Sequence, residues 1–190
     1  MLKRIFDIFF SIICIVFTIF IIVIFLLIAV WDTKTNGIFT QKRIGKNGVP
    51  FTIYKFRTIN PITETISPFG KFLRKYKIDE VPQLVNVLIG DMSFVGPRPD
   101  IEGYYDKLEG ENIKILELKP GITSLASIKY SNEEEILKSV DNPIEYNDEV
   151  IFPDKVKMNL DYYYNKSLGL DIKIIVQTVV KVISSINKKQ

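Results

Sequence analysis

The chain has 190 residues, 25 Lys and Arg against 22 Asp and Glu, a net charge of +3, one cysteine and no histidine. The lack of histidine excludes Ser-His-Asp and Cys-His nucleophile systems, and a single cysteine excludes intramolecular disulfides and thiolate zinc sites. The mild basicity suits an anionic membrane surface or a phosphorylated substrate; with no RNA-binding signature and no basic-aromatic stripe, nucleic acid is not expected as a partner.

Any catalyst must therefore be built from Asp, Glu, Lys, Arg, Ser, Thr or Tyr, and an oxygen-bound hard cation such as Mg2+ is its natural helper. In chain order, the first element is an apolar run: no residue from Ile8 to Trp31 is charged. As a helix it would be about 36 Å long at ~1.5 Å per residue, enough to cross a bilayer. It is too long for a cleaved signal peptide, and no small-x-small site follows Trp31, which reads as an interfacial anchor. Lys3 and Arg4 precede the run, and Lys34, Lys42, Arg43, Lys46, Lys55 and Arg57 follow it. The heavier positive side predicts a cytoplasmic soluble part. The run has no Pro or Gly, and Ser11 and Thr18 are the only residues able to bend it, so the pattern by itself favours a spanning helix over a re-entrant one.

Gly37 to Phe56 predicts a β-hairpin turning at Gly45-Lys46-Asn47-Gly48. A loop with Pro61 and Pro68 follows, then a helix over 69–77 and a second over 79–88, with Val81, Leu84, Val85 and Leu88 on one face. Gly90 to Pro99 reads as loop or extended chain, 100–118 as helix, and 122–130 as a β-prone stretch after the Lys119-Pro120-Gly121 turn. A short helix and a loop are expected over 131–148, a helix over 154–165, and an amphipathic helix over 172–186 with Asp171, Lys181, Ser184 and Ser185 on its polar side. The fold class is thus α+β: an N-terminal membrane helix, a small β-hairpin and several short, amphipathic interfacial helices. The expected division is a membrane anchor over 1–31, a catalytic domain over 32–150 and C-terminal interfacial helices over 151–190.

The stretch from Arg74 to Pro99 concentrates the chemistry. Asp79-Glu80 opens a short apolar helix; its plain structural reading is an N-cap, and its functional reading a carboxylate nucleophile or metal ligand at an anion-binding helix end. In Gly96-Pro97-Arg98-Pro99 two prolines stiffen the backbone around one guanidinium, either as a rigid turn or to aim it at phosphate. Lys55-Phe56-Arg57 sets two cations at a strand end, expected on opposite faces, as a solvated edge or a phosphate site. Gln41-x-Arg43 is uninformative alone.

Together with Lys3-Arg4-x-x-Asp7, Gln41-x-Arg43-x-Gly45, Tyr54-Lys55-Phe56-Arg57-Thr58, Phe72-Leu73-Arg74, Asp79-Glu80-x-Pro82-Gln83-Leu84-x-Asn86, Gly90-Asp91-Met92-Ser93, Val95 to Pro99, Lys119 to Thr123 and Ser167-Leu168-x-Leu170-Asp171, the chain resembles the bacterial sugar transferases, the small monotopic phosphoglycosyl transferases, over nearly its whole length. The resemblance implies transfer of a sugar-1-phosphate from a UDP-sugar to polyprenyl (undecaprenyl) phosphate with release of UMP, as the first membrane step of surface glycan synthesis. It implies Asp79 as the nucleophile that forms a covalent phosphosugar intermediate, Glu80 as its dyad partner, and Lys55, Arg57, Arg74 and Arg98 as phosphate-binding residues. It further implies Mg2+ on Asp79, a bacterial inner-membrane location facing the cytoplasm, and a homodimer or downstream glycosyltransferases as further partners. The alternative is a catalytically silent, membrane-anchored assembly module. The resemblance also implies a re-entrant first helix, although Ile19 and Phe20 stand where the family carries a Ser-Pro break. Ser124-Leu125-Ala126-Ser127 replaces the family's Gly-Leu-Ala-Gln.

Overall fold

The computed structural model describes residues 1–187, with side chains to Ser184. Eight α-helices among the described residues surround two small two-stranded sheets. Helix α1 (Leu2–Thr33) is continuous through Ile19 and Phe20. Its hydroxyls fold back onto its own backbone, Ser11 Oγ donating to Ile8 O (2.9 Å) and Thr18 Oγ1 to Cys14 O (2.6 Å). It is the one helix among the described residues long and apolar enough to cross a membrane, and only 6% of its most apolar window is buried. A soluble protein would bury such a helix; its exposure indicates membrane association.

Both ends of α1 are tied to the rest of the chain. At the N-terminal end Lys3 Nζ donates to Asp171 (2.6 Å) and to Val95 O (3.1 Å), while Arg4 donates to Val87 O and Leu88 O (2.6 and 2.8 Å). Asp7 is 2% exposed and accepts from Ser93 Oγ and Phe94 N. A buried carboxylate needs such donors, so the docking is specific. At the other end Ser67 donates to Asp32 (2.6 Å), and Phe25 meets Phe69 edge-on.

Strands β1 (Ile38–Ile44) and β2 (Pro50–Phe56) form the expected antiparallel hairpin, with Ile38 opposite Phe56 and Ile44 opposite Pro50. The turn takes its positive φ at Asn47 and Gly48, which tolerate it best. Helix α2 (Pro68–Lys75) is capped by Ser67, whose hydroxyl accepts from Gly70 N. Helix α3 covers only Gln83–Ile89, so the helix read over 79–88 starts four residues late. Pro82 has no N–H to donate to the turn before it, and Ile78–Glu80 form a separate 3₁₀ turn entered through Lys77 at φ 57°.

The stretch 90–99, read as loop or extended chain, is extended at Ser93–Val95, which form β3, parallel to β4 (Gly121–Thr123). Two further expectations are corrected. The stretch 100–118 is not α-helical but forms 3₁₀ turns at Tyr105–Lys107 and Gly110–Glu117; Gly103 and Gly110, both at positive φ, interrupt it. The β-prone 122–130 becomes helix α4 (Leu125–Lys129) after β4, because Ser124 caps it by accepting from Ser127 N.

Helices α5 (Glu133–Lys138) and α6 (Pro143–Tyr146) lead through a π-turn into α7 (Phe152–Asn165), and α8 (Leu168–Asn187) closes the described chain. Residues 188–190 of the expected C-terminal segment, and the side chain of Ser185, lie outside the described set. The main core joins Ile53, Leu84, Val87, Met92, Phe94, Tyr162 and Ile174, with Phe10, Cys14 and Ile15 of α1 packed against it. A second cluster joins Ile44, Tyr105, Ile115 and Val156.

Candidate active site

Asn86 fixes α3 onto the hairpin. Fully buried, it accepts from Tyr54 N (3.1 Å) and donates to Thr52 O (2.7 Å), occupying the open edge of β2 as a strand would. That contact sets the turn Ile78–Glu80 beside Lys55. On the opposite side, the backbone of Gly96 lies against that of Lys119 to Gly121. A Cβ on Gly96 would stand 2.2 Å from Lys119 O, and one on Gly121 2.2 Å from Gly96 N. Only glycine permits this approach. It allows Gly96 N to donate to Thr123 O and Gly121 N to Pro97 O, which anchors the loop that presents Arg98.

These two supports converge on Glu80. Its Oε1 accepts from Lys55 Nζ at 2.8 Å and Arg98 Nη2 at 2.7 Å. The Glu80 side chain is 11% exposed, against 47% for Arg98. Burial would raise the Glu80 carboxyl, but the charges and hydrogen bonds of Arg98 and Lys55 prevail and hold it at about 2. Glu80 is therefore ionised at neutral pH.

Asp79 is in the opposite condition. Its Oδ1 is buried without a hydrogen-bond partner, and it caps no helix, so the plain N-cap reading does not describe it. Burial first, and the like charge of Glu80 second, push its carboxyl above the ordinary Asp range, against the pull of Lys55, Lys77 and Arg74. A buried, unsatisfied carboxylate oxygen is costly in a fold kept for stability alone. The environment thus drives two adjacent carboxylates in opposite directions.

All six residues singled out from the sequence line one cavity of about 1380 Å³: Lys55, Arg57, Arg74, Asp79, Glu80 and Arg98. Lys55 and Arg98 each contact Glu80. Arg74 Nε donates to Thr58 Oγ1 at 2.8 Å, which leaves its terminal nitrogens available. Arg57 lies over the Phe39 ring (5.6 Å) and its buried Nε lacks a partner. The expectation of opposite faces for Lys55 and Arg57 is not met, since residues two apart on a strand share a face. The cavity reaches Cys14 and Thr18 on α1 and Thr178 and Lys181 on α8.

Two cations escaped sequence reasoning. Arg43 lines the cavity with its Nε buried and unpartnered, while its Nη2 donates to Gln41 (2.7 Å). The hairpin register pairs Phe39 with Lys55 and Arg43 with Phe51, so Gln41 and Arg43 fall on the Lys55 face. The period-2 pattern across the hairpin carried that signal. Lys77 carries no comparable signal, because its approach to Asp79 depends on its own left-handed backbone.

A cluster of cations around one paired and one unpaired carboxylate can bind an anionic diphosphate and stabilise charge in its transfer. The sequence model of the bacterial sugar transferase family matches residues 1–185. The chain is 34% identical to the uncharacterized sugar transferase EpsL of Bacillus subtilis over 194 residues, covering 97% of this chain and 88% of that protein. It is 37% identical over 162 residues to the UDP-glucose:undecaprenyl-phosphate glucose-1-phosphate transferase of Xanthomonas campestris, covering 76% of this chain and 31% of that one. Over 158 residues it is 32% identical to the UDP-N-acetylgalactosamine-undecaprenyl-phosphate N-acetylgalactosaminephosphotransferase of Aeromonas hydrophila, with 74% and 34% covered. The chain thus spans about a third of the length of the last two. It belongs to the bacterial sugar transferase family.

Proposed function

We propose that this enzyme is a phosphoglycosyl transferase that moves a sugar-1-phosphate from a UDP-sugar to polyprenyl phosphate and releases UMP, opening the assembly of a surface glycan at the cytoplasmic face of the bacterial inner membrane. The observation that carries the reading is the contrast within the dyad: Glu80 is neutralised by Lys55 and Arg98, while the adjacent Asp79 Oδ1 is buried and unpartnered in a cavity that reaches the membrane helix.

In this mechanism the Asp79 oxygen attacks the phosphorus that carries the sugar. The bond from that phosphorus to the bridging oxygen breaks, and UMP leaves with the bond pair. An oxygen of polyprenyl phosphate then attacks the same phosphorus and returns Asp79 to its carboxylate form. The covalent intermediate lets two bulky anions use one site in turn. Only ionised Asp79 can attack, and Lys55, Lys77 and Arg74 favour that form. Arg98 and Lys55 both bind Glu80 and line the cavity, within reach of a bound phosphate. Arg43 and Arg57 add guanidinium groups with an unmade hydrogen bond each.

The donor set fits Mg2+. No group of three acidic, His or Cys side chains stands ready to hold a metal among the described residues. Mg2+ commonly binds one or two carboxylates and fills its shell from phosphates and water. Asp79 is the side chain that would hold it, together with the substrate diphosphate. When bound, the ion would supply neutralising charge to the phosphoryl oxygens.

The tethering of both ends of the unbroken helix α1 to one catalytic unit supports an anchor held along that unit at the membrane. A helix crossing at right angles would carry Lys3, Arg4 and Asp7 away from their partners. The deciding experiment supplies purified enzyme with a panel of UDP-sugars, with and without polyprenyl phosphate, and follows UMP. With donor alone, wild type should gain the mass of a phosphosugar and Asp79→Asn should not. Silence across the panel would favour an assembly module, and donor turnover by Asp79→Asn at the wild-type rate would exclude the covalent route.

A further inference from the structure

A second cavity, of about 340 Å³, shares Arg43, Lys55 and Arg98 with the first but includes no residue of α1 or α8. Its size is that of a small-molecule pocket, and its lining mixes cations, a carboxylate, aromatic rings and neutral polar groups. Of the shared cations, Lys55 and Arg98 contact Glu80 of the dyad. The lining also includes Asp100, Tyr104, Tyr105, Asn147 and Phe152. Phe152 meets both tyrosines edge-on, at 5.1 Å for Tyr104 and 5.6 Å for Tyr105. Lys155 is occupied by Glu133 at 2.7 Å. The cationic part suits a diphosphate. Asp100, whose Oδ1 accepts from Ile101 N at 2.9 Å, makes no ion pair within 4 Å among the described residues and has acceptor capacity left for hydroxyls, which the neutral polar groups also suit.

Tyr105 stands in the wall common to both cavities and is 6% exposed. Its oxygen accepts from Asn159 Nδ2 at 2.8 Å, and Asn159 is 2% exposed. A phenol that accepts still has its own hydrogen to place, and none of the described residues accepts it. Burial holds the phenol in its neutral, donating form. Asn159 thus fixes a buried donor whose hydrogen has no protein partner, and such groups call for a ligand or a water.

We propose that the smaller cavity takes the hydroxyl-bearing group at one end of the donor's diphosphate, and that Tyr105, oriented by Asn159, donates a hydrogen bond to an oxygen of that group. The inference rests on the transferase reading above. The group is either the sugar or the nucleoside, which share this chemistry. The lipid acceptor is left to the larger cavity, the one that reaches α1.

The test uses the full chain in detergent, Tyr105→Phe and Asn159→Asp. Tyr105→Phe deletes the donor at nearly constant volume. Asn159→Asp keeps the shape but makes residue 159 an acceptor that draws the phenol hydrogen away from the cavity. Both should raise the donor KM roughly three- to tenfold, the loss of one neutral hydrogen bond, with kcat and the KM for polyprenyl phosphate held. Inhibition by UMP locates the group. If it weakens by the same factor, the nucleoside occupies the cavity; if it is unchanged while the donor KM rises, the sugar does. An unchanged donor KM in folded Tyr105→Phe, or a rise confined to polyprenyl phosphate, overturns the proposal and leaves the transferase reading intact. A wild type that releases no UMP from any UDP-sugar overturns both.

Discussion

Glu80→Gln removes the one anion that Lys55 and Arg98 share while keeping the side chain's size. The structure sets the magnitude. A carboxyl held at about 2 in place of its ordinary 4.5 has its ionised form stabilised by roughly 3 kcal/mol, at ~1.4 kcal/mol per pKa unit. Glu80 is mostly buried, 11% exposed, so solvent screens little of this. Its folded pKa lies below its unfolded one, so the contribution is complete above about pH 5 and fades as the pH falls through the folded value. More than half is lost by about pH 3. For a chain of this size the neutral-pH effect corresponds to roughly 6–12 °C in Tm. Gln can still accept one hydrogen bond, which places the outcome toward the lower end. The assay is thermal unfolding of wild type and Glu80→Gln in the same detergent at pH 7 and at pH 3. The gap should be large at pH 7 and shrink by more than half at pH 3. Equal Tm values at pH 7, or a gap that does not change with pH, would refute the account of Glu80 as a buried anion held by two cations.

The raised carboxyl of Asp79 places the acid limb of kcat/KM above the ordinary Asp range, because the protonated form cannot attack; Glu80→Gln removes a like charge and should move that limb to lower pH in a rate-pH profile. Asn86→Leu strands the part-buried Tyr54 N and Thr52 O and should cost about 2 kcal/mol in chemical denaturation, two backbone groups left unpaired. EDTA should stop UMP release and added Mg2+ restore it, as Asp79 offers a buried, unpartnered carboxylate oxygen that could share a cation with the diphosphate.

Much of the site was legible from the chain because its logic is local. The absence of histidine narrowed the catalysts to Asp, Glu, Lys, Arg, Ser, Thr and Tyr, and Asp79, Glu80 and Arg98 fall within one short stretch. Asn-Gly specified the hairpin, and an uncharged run from Ile8 to Trp31 specified the long apolar helix. The misreadings are where long-range contact overrides local preference. The residues after Ile122 are β-prone, yet Ser124 caps a helix there because Thr123 has completed its pairing with Val95.

The inventory is written along the chain: an apolar anchor, a carboxylate pair, a stiff arginine loop and their order. How the pair divides is a property of the folded molecule. Asp79 and Glu80 are neighbours of the same chemistry, and nothing local separates them. Asn86 seats α3 on β2, and Gly96 against Gly121 brings in Arg98; Lys55 and Arg98 then both reach Glu80 and leave the Asp79 oxygen unpaired. The difference is set by which carboxylate the folded chain surrounds with cations, through contacts between residues 18 to 34 positions apart, and electrostatics in a buried site follows distance in space.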